Sequence, residues 1–126
     1  MSALSNEKFG YEKLDVWQEA IDWACKVISK VDCLETPRNH YRLVEQLEAA
    51  AASVSMNIAE GKGRFSKREF VHYLYIARGS LYETSTLLEI FCRLRWFDEV
   101  NLRKISEHAV QIGKMLNSLI NSIKKP

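Results

Sequence analysis

Few residues in this chain are arranged for chemistry. Glu69 and His72 form a Glu-x-x-His pair, which places a carboxylate and an imidazole on one helix face, as in carboxylate-bridged di-iron bundles. Such a site needs a second pair and two more glutamates, yet neither His40 nor His108 has a glutamate three residues before it. Glu69 has a simpler role, closing a capping box with Ser66. The three cysteines, Cys25, Cys33 and Cys92, are odd in number and lack C-x-x-C spacing, so they specify neither a disulfide framework nor a zinc site. Gly61-Lys62-Gly63 lacks the spacing of a phosphate-binding loop, and no Gly-x-Ser-x-Gly elbow accompanies the serines. The expectation is a protein with no enzymatic activity, no metal and no cofactor.

Charge offers the better lead. Residues 1–60 carry net −4, residues 61–97 net +4 and residues 98–126 net +2, so an overall +2 conceals a basic middle. Within it, Lys62, Arg64, Lys67 and Arg68 crowd a loop and the first turn of the following helix, where free backbone N–H groups and the helix dipole favour an anion. This is a candidate contact for the phosphates of RNA or another nucleic acid, with Arg78, Arg93 and Arg95 as possible extensions. Tyr73, Tyr75 and Tyr82 would be close enough to stack on bases. The plainer alternative is a solvated hinge balanced by Glu60 and Glu69. A polar set lies alongside, comprising Asn57, Glu60, Ser80 and Glu83, and a contact from Arg64 to Glu60 or Glu83 would fix the hinge.

The elements that position these groups are helices. Leu14, Trp17, Ile21, Ala24, Ile28 and Val31 alternate at spacings of three and four. The same rhythm runs through Leu43, Leu47, Ala50 and Val54, through Phe70, Leu74, Ala77, Leu81, Thr84, Leu88 and Phe91, and through Leu102, Ile105, Ala109, Ile112, Leu116, Leu119 and Ile123. Thr36-Pro37 interrupts the first helix, Gly61 stops the second, Ser66 caps the third and Asp98 caps the fourth. Helices over about residues 12–35, 38–60, 66–95 and 98–123, with no strand pattern, specify an all-α fold. It is an antiparallel up-down-up-down, left-handed four-helix bundle filling one domain over residues 1–126.

At 126 residues and 47% hydrophobic the chain is well supplied with apolar surface. Val16, Ala20, Trp23, Val27 and Leu34 form a second stripe on the first helix, and Tyr73, Ile76, Leu87, Ile90 and Leu94 one on the third. Read as surplus, these stripes predict self-association through Trp17, Trp23, Val27, Tyr73 and Ile76. Read plainly, they are the wide core-facing stripes that globular helices commonly carry. The first ten residues, MSALSNEKFG, do not read as a secretory signal, and no run approaches a membrane span, so a cytoplasmic location is expected.

Certain strings are also familiar. Tyr11-Glu12-Lys13-Leu14-Asp15-Val16-Trp17-Gln18, Leu43-Val44-Glu45-Gln46-Leu47, Asn57-Ile58-Ala59-Glu60-Gly61 with Gly63-Arg64, and Leu74-Tyr75-Ile76-Ala77-Arg78-Gly79-Ser80-Leu81-Tyr82-Glu83 resemble the bacterial 23S rRNA-intervening-sequence proteins, also called the four-helix-bundle or S23 family. The resemblance is strongest from Leu43 to Glu83 and places Asn57, Glu60, Gly61, Arg64, Gly79, Ser80 and Glu83 on the family's motif. It implies a small cytoplasmic bundle without established enzymatic activity. The fold is also similar to that of the accessory protein of diversity-generating retroelements, a ring of five bundles that binds nucleic acid and a reverse transcriptase. That likeness implies a homopentamer with nucleic acid, or alternatively a protein partner, on its surface.

Overall fold

A computed structural model describes residues 7–32, 34 and 40–126, and these form a four-helix bundle. A short 3₁₀ helix, Gly10–Lys13, leads into α1 (Asp15–Val31), α2 (Tyr41–Lys62), α3 (Lys67–Arg93) and α4 (Glu99–Lys124). Neighbouring helices run antiparallel. Gln46 reaches Glu83 and Ser53 reaches Ser80 across the α2–α3 pair, while Glu19 meets His108 and Trp23 meets Ile105 across α1–α4. Among the described residues no helix is long and apolar enough to cross a membrane. Cys33, the expected helix end at Glu35 and the expected break at Thr36-Pro37 lie outside the described residues.

The helix ends follow local chemistry. Ser66 is extended and its Oγ accepts the Glu69 N–H at 3.1 Å, which satisfies one orphan donor of α3. Asp98 does the same for α4, its Oδ1 accepting the Asn101 N–H at 2.7 Å. The end of α3 is a Schellman motif: Arg95 N–H donates to Cys92 O at 2.9 Å and Trp96 N–H to Phe91 O at 2.8 Å, with the two rings in contact. The left-handed position, usually glycine, is held by Arg95 at φ 65°. At the other end of the chain, Leu14 is extended and separates α1 from the 3₁₀ turn, so α1 starts at Asp15, later than periodicity suggests.

The seams expected for α2, α3 and α4 face the core, with Leu47, Val54, Leu74, Ala77, Leu81, Thr84, Leu88, Phe91, Ile105, Ala109, Ile112 and Leu116 all buried. For α1 the expected seam is only partly the buried one: Ala24 and Val31 lie in the core, but most of the rest comes from the second stripe. Val16, Ala20, Trp23 and Val27 are buried, whereas Trp17 and Ile21 are half-buried and Ile28 is exposed. Trp23 and Val27 are therefore not subunit contacts: both are 0% exposed within the chain's own core. Burying their apolar surface in this core is favourable, and Trp23 can be buried whole because its indole N–H donates to the Ile105 carbonyl at 3.2 Å. Trp17 instead packs beneath Tyr11 of the 3₁₀ helix, ring centroids 5.1 Å apart.

Gly61 also differs from expectation. It does not stop α2, which continues to Lys62 and is capped by Gly63 at φ −79°. Gly61 is buried where α2 meets α3, and a Cβ there would lie 2.7 Å from Tyr73 Cβ and 3.2 Å from the Phe70 carbonyl oxygen. The missing side chain lets the two helices approach.

Candidate nucleic-acid interface

The α2–α3 connection is a stiff corner. Gly63 N–H donates to Ala59 O at 3.3 Å and Arg64 N–H to Gly61 O at 3.1 Å, carrying helical bonding past the end of α2, and Ser66 opens α3 two residues later. Arg64 is clamped: Nη2 donates to Tyr73 Oη at 2.6 Å and pairs with Glu60 at 3.3 Å, and its guanidinium lies 4.8 Å from the Tyr73 ring centre. Of the two partners expected for Arg64, Glu60 is the one it takes; Glu83 accepts from Gln46 instead, at 3.1 Å. Lys62 rests 5.7 Å above the Phe70 ring.

The side chains of Lys67 and Arg68 are exposed and form no hydrogen bond or ion pair among the described residues. Their backbone N–H groups belong to the first turn of α3 and have no intrahelical acceptor. The corner thus presents two uncommitted cations beside orphan donors, an arrangement suited to a phosphate.

The remaining expected cations are elsewhere. Arg78 lies about 16 Å further along α3, where Nη1 donates to Asn117 Oδ1 at 2.9 Å and the guanidinium sits 4.8 Å from the Tyr75 ring and 5.9 Å from that of Tyr82. Lys124 joins this group, donating to Tyr75 Oη at 3.4 Å. Arg93 and Arg95 are at the far end of α3, about 40 Å from Lys67, and Arg93 pairs with Glu89 at 2.9 Å. They cannot belong to the corner.

The polar set is mostly a brace between helices. Asn57 Nδ2 donates to the Ser53 carbonyl and hydroxyl, each at 2.8 Å, and Ser80 Oγ donates to Ser53 Oγ at 2.9 Å. Ser53, which no sequence signal singles out, is therefore its hub. Gly79 differs from Gly61 in having nothing within 4 Å of where its Cβ would be. Ile76 and Tyr75 are exposed beside it, and Ile90 and Leu94 continue the exposed apolar surface of α3.

A hollow of about 610 Å³ lies at the α3–α4 connection, lined by Cys92, Trp96 and Asp98 among others. Burial pushes the Cys92 thiol up, and the carboxylates of Glu99, Glu89 and Asp98 add to the effect. That is the reverse of what a nucleophilic thiolate needs. His108 Nε2–H donates to the Glu19 carboxylate at 2.7 Å and Lys26 Nζ lies 3.4 Å from its Nδ1, which ties α1 to α4. No group of three or more His, Cys, Asp or Glu converges as a metal site among the described residues.

The family model for the 23S rRNA-intervening sequence protein matches residues 12–118, spanning α1 to α3, the hinge and most of α4. The chain belongs to this family. In fold it is similar to a crystal structure from Bacteroides thetaiotaomicron VPI-5482, described as a protein with unknown function from the S23 ribosomal protein family. The two share 23% sequence identity at a TM-score of 0.77, over 83% of this chain and 97% of that one. A search of curated proteins returns no match.

Proposed function

We propose that this chain is a non-enzymatic, cytoplasmic, nucleic-acid-binding protein that takes RNA at the α2–α3 corner and acts as a homo-oligomer, a pentamer by analogy with the retroelement accessory ring. The observation that carries the reading is the pair of uncommitted cations, Lys67 and Arg68, on the first turn of α3. Lys62 and Arg64 add positive potential there while being held by Phe70, Glu60 and Tyr73. One corner touches few phosphates; several copies on a ring would multiply the contact.

The oligomer rests on the exposed face of α3, where Ile76, Ile90 and Leu94 lie in water in a single chain and Gly79 leaves room for close approach. The same face favours a second reading, in which it docks a different protein. Filter binding of structured RNA at low salt tests the first reading. Binding should weaken steeply with salt, with a log–log slope of roughly −0.7 to −0.9 per phosphate contacted, and should be lost in Lys67→Glu/Arg68→Glu. Binding that survives this charge reversal refutes it. Light scattering that finds a monomer at micromolar concentration refutes the oligomer, and a protein partner retained after nuclease treatment favours the second reading.

A further inference from the structure

Phe65 stands at the tip of the α2–α3 corner and is completely exposed, at 107% of its reference area. Phenylalanine is ordinarily withdrawn from water, and a connection needing only polarity would be served by a smaller residue. The backbone that carries it is held on both sides by the Gly63 and Arg64 amide bonds and by the Ser66 cap. The benzyl group is thus presented from a rigid support.

Two rings near the corner and two further along α3 each carry a cation over one face. Arg64 covers Tyr73 and Lys62 covers Phe70. Tyr75 and Tyr82, which the sequence suggests for stacking, hold Arg78 between them. Phe65 alone among these is free, and it lies two and three residues from Lys67 and Arg68. Chain length limits the separation of the Phe65 and Lys67 α-carbons to about 7 Å. A flat apolar face and unpaired cations within that reach match a base and its own phosphate. An apolar pocket on another protein would not call for the cations.

Resting on the reading that this corner binds RNA, we propose that Phe65 is a stacking platform for an unpaired base and makes the corner selective for single-stranded over fully paired RNA. Stacking needs a base whose face is accessible, which a duplex offers only at its ends, whereas phosphate contacts are made to either form.

The test is fluorescence anisotropy with the full chain, using a labelled single-stranded RNA and a hairpin-capped duplex of equal phosphate number. The wild type should prefer the single strand. Phe65→Ala should weaken single-strand binding about tenfold and leave duplex binding within about twofold, with its melting temperature unchanged because the side chain packs on nothing. Phe65→Tyr should restore the preference, and Phe65→Leu, apolar but without a π face, should not. If Phe65→Ala or Phe65→Leu binds single strands like the wild type while Lys67→Glu/Arg68→Glu does not bind, stacking is refuted and the corner still binds RNA. A fall in oligomer mass in Phe65→Ala assigns Phe65 to a second copy and also refutes stacking. If the charge reversal leaves binding intact, or the wild type binds neither RNA, both readings fail.

Discussion

Replacing Gly61 by alanine should destabilise the bundle, and the same replacement at Gly79 should stabilise it. A Cβ at Gly61 would sit 2.7 Å from Tyr73 Cβ, 3.1 Å from Phe70 Cδ1 and 3.2 Å from the Phe70 carbonyl oxygen. Carbon atoms pack best at about 3.5–4.0 Å, and two of these three neighbours are fixed to the α3 backbone. They cannot swing aside, so α2 and α3 must part locally. Overpacking of this kind costs roughly 3 kcal/mol at its upper end, against about 1 kcal/mol gained from helix propensity. The expected net loss is about 2 kcal/mol, or roughly 8 °C in melting temperature for a chain of this size. At Gly79 no atom lies within 4 Å, so only the propensity gain remains, about 1 kcal/mol or roughly 4 °C. Thermal and urea unfolding followed by circular dichroism, at a dilution where chains do not associate, measures both. The opposite signs matter, because a general effect of removing a helical glycine would move the two variants together. Gly61→Ala melting at or above the wild type would refute the close-approach role of this residue.

Three further outcomes are expected. Arg95→Gly should raise stability by about 1 kcal/mol in urea unfolding, because Arg95 holds the left-handed position of the Schellman motif at φ 65°; unchanged stability would remove the strain. Asp98→Ala should lower the melting temperature at neutral pH. The Asn101 backbone and side-chain hydrogen bonds hold the Asp98 carboxyl below its ordinary value of 3.8, so its stabilisation is fully present above about pH 4 and is lost as pH falls through the lower folded value; a difference from the wild type that persists undiminished in acid would exclude the charged cap. Cys92 should alkylate more slowly at pH 8 than an unstructured cysteine peptide, since burial and then Glu99, Glu89 and Asp98 disfavour its thiolate. Peptide mapping by mass spectrometry reads that rate, and equal rates would count against the raised thiol.

In three of the four helices the expected seam is the buried one, although α3 also carries a second stripe whose Ile76, Ile90 and Leu94 stay exposed. For α3 the run from Leu74 through Leu81 and Leu88 to Phe91 is buried as spacing implies, and Ser66 and Asp98 mark starts because their side-chain oxygens have a definite donor to satisfy. In α1 two stripes of comparable hydrophobicity lie side by side, and periodicity alone cannot choose between them. The choice is tertiary: Trp23 goes inward because Ile105 O receives its N–H, and the 3₁₀ helix supplies Tyr11 to cover Trp17. Much of the apolar surplus on α1 is thereby absorbed by the chain itself, whereas Ile76, Ile90 and Leu94 of α3 stay exposed. Gly61 is misread for a related reason, since a glycine near a helix end serves equally as a stop or as a place of contact, and only the position of α3 separates the two.

The corner repeats this lesson in charge. Lys62, Arg64, Lys67, Arg68 and Arg78 look alike in sequence, but α3 and α4 sort them by what lies within reach. Phe70 takes Lys62, Glu60 and Tyr73 take Arg64, and Asn117 with two tyrosines takes Arg78. A cation already engaged must break those contacts before it can serve a phosphate, so its contribution to binding is the difference between two interactions. One facing only water gives up hydration and solvent-screened freedom alone. By that reasoning Lys67 and Arg68 should dominate binding despite being two of five, and Arg64 should matter first for the geometry of the corner. Phe65 follows the same logic without charge: its ring is conspicuous only because every nearby aromatic has been given a partner and it has not. What marks out the proposed contact residues is the absence of an internal partner on a held backbone, a property that residue type and spacing do not encode.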